Sequence, residues 1–175
     1  MRIEVSQACA RGAIAVAVAI IAATIAIRVA YAAGLPAEVT AEDVFAQVIL
    51  SASHARSGDQ LGVAAEITVA PGWHIYGLPL PDGDGLTPTS IVFASDLLAS
   101  QSIRMPAPTP LKFPALNVTY PVYTGVIKAS GHLKLKHDLK PGAYRIAGTL
   151  KFQECNDSMC KMPQALPFEL PIQIN

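Results

Sequence analysis

Leu61, Val63, Ala65, Ile67 and Val69 alternate with Gly62, Ala64, Glu66 and Thr68, a period of two that fits an extended strand with one face turned inward. Pro71-Gly72 ends this run, and the chain downstream continues as short strand-like segments broken by proline and glycine. Residues 73–76 resume in extended form. Residues 78–88, with three prolines and two glycines, read as a loop. Residues 90–93 and 102–105 are two further strands, followed by a proline-rich stretch at 106–114. Residues 123–129, then Leu133 and Leu135 alternating with Lys134 and Lys136, read as a hairpin closed near Ser130-Gly131. Residues 143–152 and 165–174 supply two more strands, and one short helical turn is expected near residues 41–46. About eight strands at this spacing predict an all-β fold, an immunoglobulin-like antiparallel β-sandwich, without the Cys-Trp-Cys pattern of antibody domains.

Residues 1–32 read as an export signal. Arg2 and Arg11 make a basic start, residues 13–27 are apolar apart from Thr24, and Ala30-Tyr31-Ala32 has the small-x-small pattern of a cleavage site. A helix over the apolar run is about 22 Å long, short of the roughly 30 Å hydrocarbon core. The expectation is a cleaved signal peptide at 1–32 and a single domain at 33–175. Arg28, between the apolar run and the cleavage site, keeps an uncleaved anchor as the alternative, and membrane contact is expected only in that case.

Cleavage removes three of the 13 basic and one of the 13 acidic residues, leaving ten against twelve. Such a balance argues against nucleic acid as a partner, since phosphate binding needs a clustered positive surface. The rest is long enough for one domain with a real core, and a soluble monomer is expected.

The chemistry points to residues 151–163, KFQECNDSMCKMP, which carry Cys155 and Cys160; Cys9 lies in the signal. Four residues separate the pair, too many for a CxxC redox turn, and no second pair completes a structural zinc site. A disulfide is possible if the chain doubles back, and an exported protein can keep one. In the chain-entropy model a ring of about six residues contributes only about 2 kcal/mol, so stability alone is a poor reason for it. Glu154 and Asp157 flank Cys155 and should raise a thiol pKa, whereas Lys161 beside Cys160 should lower it. The better nucleophile stays open.

Other readings of these residues exist. Cys155, Met159, Cys160 and Met162 are four soft donors of the kind that selects Cu(I), so an exported copper carrier is one alternative. A binding module with a purely structural disulfide is another. Trp73 and Tyr76 read as core and rim packing, and His54, His74, His132 and His137 are scattered without forming a histidine site. Asn117-Val118-Thr119 matches a glycosylation sequon of the length that arises by chance. Asp82 and Asp84, interleaved with Gly83 and Gly85, read as a turn. No GxSxG, HExxH or glycine-rich phosphate loop is present, which removes support for hydrolase or transferase chemistry.

PGWHIYG at 71–77, GLTPTSIVF at 85–93, MPAPTP at 105–110, Tyr123 and FQECNDSMCKMP at 152–163, in this order and spacing, resemble the N-terminal periplasmic domain of the thiol:disulfide interchange protein DsbD. The resemblance runs from about residue 44 to 174. It implies an immunoglobulin-like fold and a redox pair, Cys155 and Cys160, that passes reducing equivalents from a thioredoxin-like donor to periplasmic acceptors. Those acceptors include disulfide isomerases and cytochrome c maturation thioredoxins. It also implies a periplasmic location of Gram-negative type and the activity of a protein-disulfide reductase component. Residues 113–120 fall where the family carries a cap over its disulfide, which marks Phe113, Asn117 and Tyr120 as shielding residues. Relatives continue into a membrane domain and a thioredoxin-like domain, whereas this chain ends at Asn175, so the expected donor is a separate polypeptide. Thiol exchange of this kind needs no metal or organic cofactor.

Overall fold

The computed structural model describes residues 34–114 and 117–175; the expected signal peptide at 1–32 lies outside them. In chain order the strands are β1 (Ala37–Thr40), β2 (Val44–Leu50), β3 (His54–Ala55), β4 (Gln60–Val69), β5 (His74–Tyr76), β6 (Ser90–Phe93), β7 (Leu98–Arg104), β8 (Thr109–Phe113), β9 (Val118–Tyr123), β10 (Val126–Leu135), β11 (Gly142–Phe152), β12 (Glu154–Cys155) and β13 (Gln164–Ile174). The first sheet has the order β1-β2-β4-β10-β7 and the second β3-β13-β11-β6. All pairs are antiparallel except the two-residue pairing of β3 with β13, which is parallel. This is the expected all-β, immunoglobulin-like sandwich.

Its core follows from the alternation. Val48, Leu50, Leu61, Ile67, Leu133 and Leu135 of the first sheet meet Ile146, Leu150, Phe168, Leu170, Ile172 and Ile174 of the second in one buried cluster. Each such side chain stabilises the fold by about 1.5–3 kcal/mol through apolar burial. Pro167 and Pro171 are tolerated inside β13 because β3 pairs only with Gln173 and Ile174, so that edge needs no ladder donor at either proline.

Two local expectations are corrected, and the proline-rich stretch gains a strand. Residues 41–46 form no helix: Ala41 N donates to Val44 O at 2.8 Å, and β2 begins at once, with Val44, Ala46, Val48 and Leu50 buried. Period two overrides the alanine-rich composition there. Residues 130–131 close no hairpin but lie within β10, which pairs with β4 on one side and β7 on the other. Gly131 marks a close approach of β7, since a Cβ there would collide with the Ser102 carbonyl. Part of the proline-rich stretch is also a strand, β8, at the edge of a third sheet where a missing donor costs little.

The third sheet, β12-β5-β9-β8, holds the residues of interest. Alternation divides its side chains: Ile75 and Tyr123 enter the main core, whereas Tyr76, Val122 and Cys155 form a smaller cluster with Leu80, Leu86, Leu111 and Tyr120.

Candidate functional site

The cysteine hairpin begins where β11 delivers Phe152 into the core, followed by buried Gln153, Glu154 and Cys155. Asn156 then reverses the chain. Its N–H donates to Met159 O at 2.9 Å, and its Oδ1 accepts from Ser158 N at 2.8 Å and Met159 N at 2.9 Å, so a side-chain carbonyl stands in for a backbone acceptor. Cys160 returns antiparallel to Cys155, and the two form a disulfide with Cα atoms 4.0 Å apart. Their environments differ. Cys155 is 1% exposed, while Cys160 lies on the exposed outer arm with Met159 and Met162.

The base of the hairpin is clamped by Lys161. Its Nζ lies 2.9 Å from buried Glu154 and 3.0 Å from Glu42, pairs with Asp43, and sits 4.2 Å from the Trp73 ring centroid. Burial alone would lower the ammonium's pKa, but the hydrogen bonds it donates to Asp43, Glu154 and Glu42 outweigh that and raise it. Three carboxylates thus meet the charge of Lys161. Gln153 adds a second tie, accepting from Thr87 N at 3.0 Å and donating to Lys161 O at 3.0 Å.

Beside the disulfide stand four packed rings. Phe113, at the end of β8, and Tyr120, diagonal to it on β9, have centroids 5.6 Å apart; Phe113 lies 5.6 Å from His74, Tyr120 lies 5.7 Å from Tyr76, and His74 and Tyr76 are 5.4 Å apart. Tyr76 Oη lies 3.8 Å from Cys160 Sγ, positioned to donate to the sulfur. Burial, then the neighbouring Tyr120, raises the Tyr76 pKa, keeping it a protonated donor. The Asp84 carboxylate beside Tyr120 raises that phenol's pKa first, with burial second. Phe113 and Tyr120 are thus brought to the aromatic group, whereas Asn117 is exposed at the hairpin tip, with φ of 50° and its N–H 3.2 Å from Pro114 O. Asp157 is exposed at the turn of the cysteine hairpin.

Sequence reasoning missed several neighbours. The loop between β5 and β6 folds back, closed by Thr89 N donating to Tyr76 O at 2.7 Å, and sets Leu80 and Leu86 against Cys155, Tyr76 and Val122. Gly77 permits this, because a Cβ would press on Pro108 at 2.6 Å and on the Tyr123 ring at 3.1 Å. His74, assigned no role from its scattered place in the sequence, is 3% exposed and lies directly opposite Cys155 in the β5–β12 pairing. The alternation of His74 and Tyr76 about the core residue Ile75 was the signal that both share one face.

Comparison with known proteins gives the same direction. A family model described as thiol:disulfide interchange protein DsbD, N-terminal, matches residues 44–171. No curated protein sequence matches the chain. The crystal structure of the N-terminal periplasmic domain of ScsB from Proteus mirabilis superposes with a TM-score of 0.57 at 16% identity, covering 79% of this chain and 51% of that one. This chain therefore spans about half of that structure. The Neisseria meningitidis DsbD N-terminal domain in its reduced form gives a TM-score of 0.38 at 16% identity, over 81% and 90% of the two chains. With the family match running from the start of β2 into β13 and including both cysteines, the chain belongs to the DsbD N-terminal family of thiol:disulfide interchange domains.

Proposed function

We propose that this domain relays reducing equivalents in the periplasm, taking them from a thioredoxin-like or membrane-borne donor and passing them to disulfide acceptors such as isomerases and cytochrome c maturation proteins. Cys155 and Cys160 carry the exchange, and residues 1–32 direct export. The observation that carries this reading is a disulfide with one buried and one exposed cysteine, set beside packed aromatic rings in a chain of the DsbD N-terminal family.

A donor thiolate attacks Cys160 Sγ, the more accessible sulfur, and Cys155 leaves; the second donor thiol then resolves the mixed disulfide. The Tyr76 hydroxyl steadies negative charge on Cys160. Reversal of these steps reduces the acceptor. Phe113 and Tyr120 act as a shield on the side of buried Cys155 that opens against a partner and keeps bystander oxidants from that sulfur, with Asn117 holding the turn between them. Glu154 and Asp157 set the local charge, Glu154 through its pair with Lys161.

Trapping tests the reading. Cys155→Ser leaves Cys160 free to attack without a resolving thiol, so it should accumulate mixed disulfides with thioredoxin-like proteins, whereas Cys160→Ser should trap few. Absence of thioredoxin-like adducts with either variant would contradict the proposal.

A further inference from the structure

His74 is a buried titratable group beside the disulfide for which the exchange steps above have no task. Its Nε2 is buried without a hydrogen-bond partner among the described residues, an arrangement that costs free energy and that packing alone does not require. Phenylalanine would fill the same space between Tyr76 and Phe113. Opposed residues of an antiparallel pair project to the same face with Cβ atoms about 4.5–5.5 Å apart, which sets the imidazole beside Cys155.

Cys155 needs such a neighbour. It is buried among Tyr76, Val122, Leu111 and Tyr120, where a thiol gives up its proton reluctantly. The nearby cation, Lys161, is held by Glu42, Asp43 and Glu154. The titratable groups facing His74 are Cys155 and Asp157 from the cysteine hairpin and Tyr76 from its own strand. Tyr120 from β9, with Asp84 behind it, borders the same ring group. Burial lowers the imidazole's pKa, against an opposing effect of Asp157, and so favours the neutral, proton-accepting form.

We propose that His74 takes and returns the proton of Cys155 during exchange, an inference that rests on the thiol-exchange reading. With Cys160 joined to a partner, the Cys155 thiol passes its proton to His74 Nε2, and the resulting thiolate attacks Cys160 Sγ. The Cys155–Cys160 bond forms as the Cys160–partner bond breaks. The partner sulfur leaves with the electron pair, and the proton passes to it or to solvent. The domain's dithiol is oxidised to the disulfide and the partner's disulfide is reduced. In the inward direction the proton that the donor thiol gives up reaches His74, which passes it to Cys155 as that sulfur leaves.

The test is stopped-flow reaction of the reduced full-length protein with a small aromatic disulfide from pH 5 to pH 9. It resolves attack by Cys160 from ring closure by Cys155. His74→Gln and His74→Phe should leave the first phase unchanged and slow the second roughly tenfold or more near neutral pH, with the deficit shrinking as alkali ionises the thiol directly. A second phase with the wild-type rate and pH profile in His74→Gln would overturn the proposal. So would a loss of equal size in both phases at every pH, which marks a structural role. Failure of the wild-type protein to close the ring at all would overturn the exchange reading itself, and this inference with it.

Discussion

Lys161 and Glu154 face each other across the base of the cysteine hairpin, the ammonium 2.9 Å from a carboxylate that is 1% exposed, while the Lys161 N–H donates to Glu154 O at 2.8 Å. Side chain and backbone thus close the same ring of residues that presents the disulfide. Lys161→Met would strand the Glu154 carboxylate in the interior, whereas Glu154→Gln leaves the ammonium with Glu42 and Asp43. Stranding a buried charge is the costlier change. Thermal unfolding of the oxidised protein should therefore show a larger loss of Tm for Lys161→Met than for Glu154→Gln; the reverse order would show that the pair does not hold the hairpin.

Shielding by the aromatic group predicts a kinetic change rather than a collapse. Each ring contact of Phe113 and Tyr120 is worth about 0.5–1.5 kcal/mol, so replacing both with alanine should raise the population with an exposed Cys155 sulfur by roughly tenfold. Non-specific oxidation and alkylation of Cys155 in the reduced protein should accelerate by that factor. An unchanged rate would remove the shielding role.

Acid should weaken the fold through His74. Burial lowers its pKa from 6.5, so as pH falls below that value the unfolded chain binds a proton that the folded one resists. The contribution is complete above about pH 6.5 and declines as pH falls toward the folded-state pKa. Urea unfolding at pH 7.5 and pH 5 should show a smaller difference for His74→Phe than for the wild-type protein. An equal difference would mean that His74 is accessible to protons in the folded state.

Met159 and Met162 are 55% and 79% exposed beside Cys160. Thiol exchange makes no use of their sulfurs, so Met159→Leu/Met162→Leu should exchange with a thioredoxin-like protein at the wild-type rate. Loss of function in this double variant, together with loss of Cu(I) binding, would favour a copper carrier.

Much of the sandwich was legible because its strands are half-buried and alternate. Residues 61–69, 90–93, 143–152 and 165–174 lie within strands of nearly the same bounds. The errors lie where a distant partner decides. Gly131 reads as a turn in isolation, and only the crossing of β7 shows why a glycine stands mid-strand. The cysteines and the two aromatics of the β8–β9 hairpin, Phe113 and Tyr120, were legible from the family's motifs. His74, Gln153, Glu42 and Asp43 were not, because each joins the site through a pairing or ion pair spanning eight to more than a hundred residues.

The most direct test of the relay is the reduction potential of the Cys155/Cys160 pair, measured by equilibration in thiol/disulfide buffers with mass-spectrometric readout. A potential of roughly −270 to −120 mV, between those of thioredoxin-like donors and oxidising acceptors, is expected, with rapid exchange against a thioredoxin-like protein. A potential below about −300 mV, the range of structural disulfides, with no exchange, would make the pair a staple and contradict the relay.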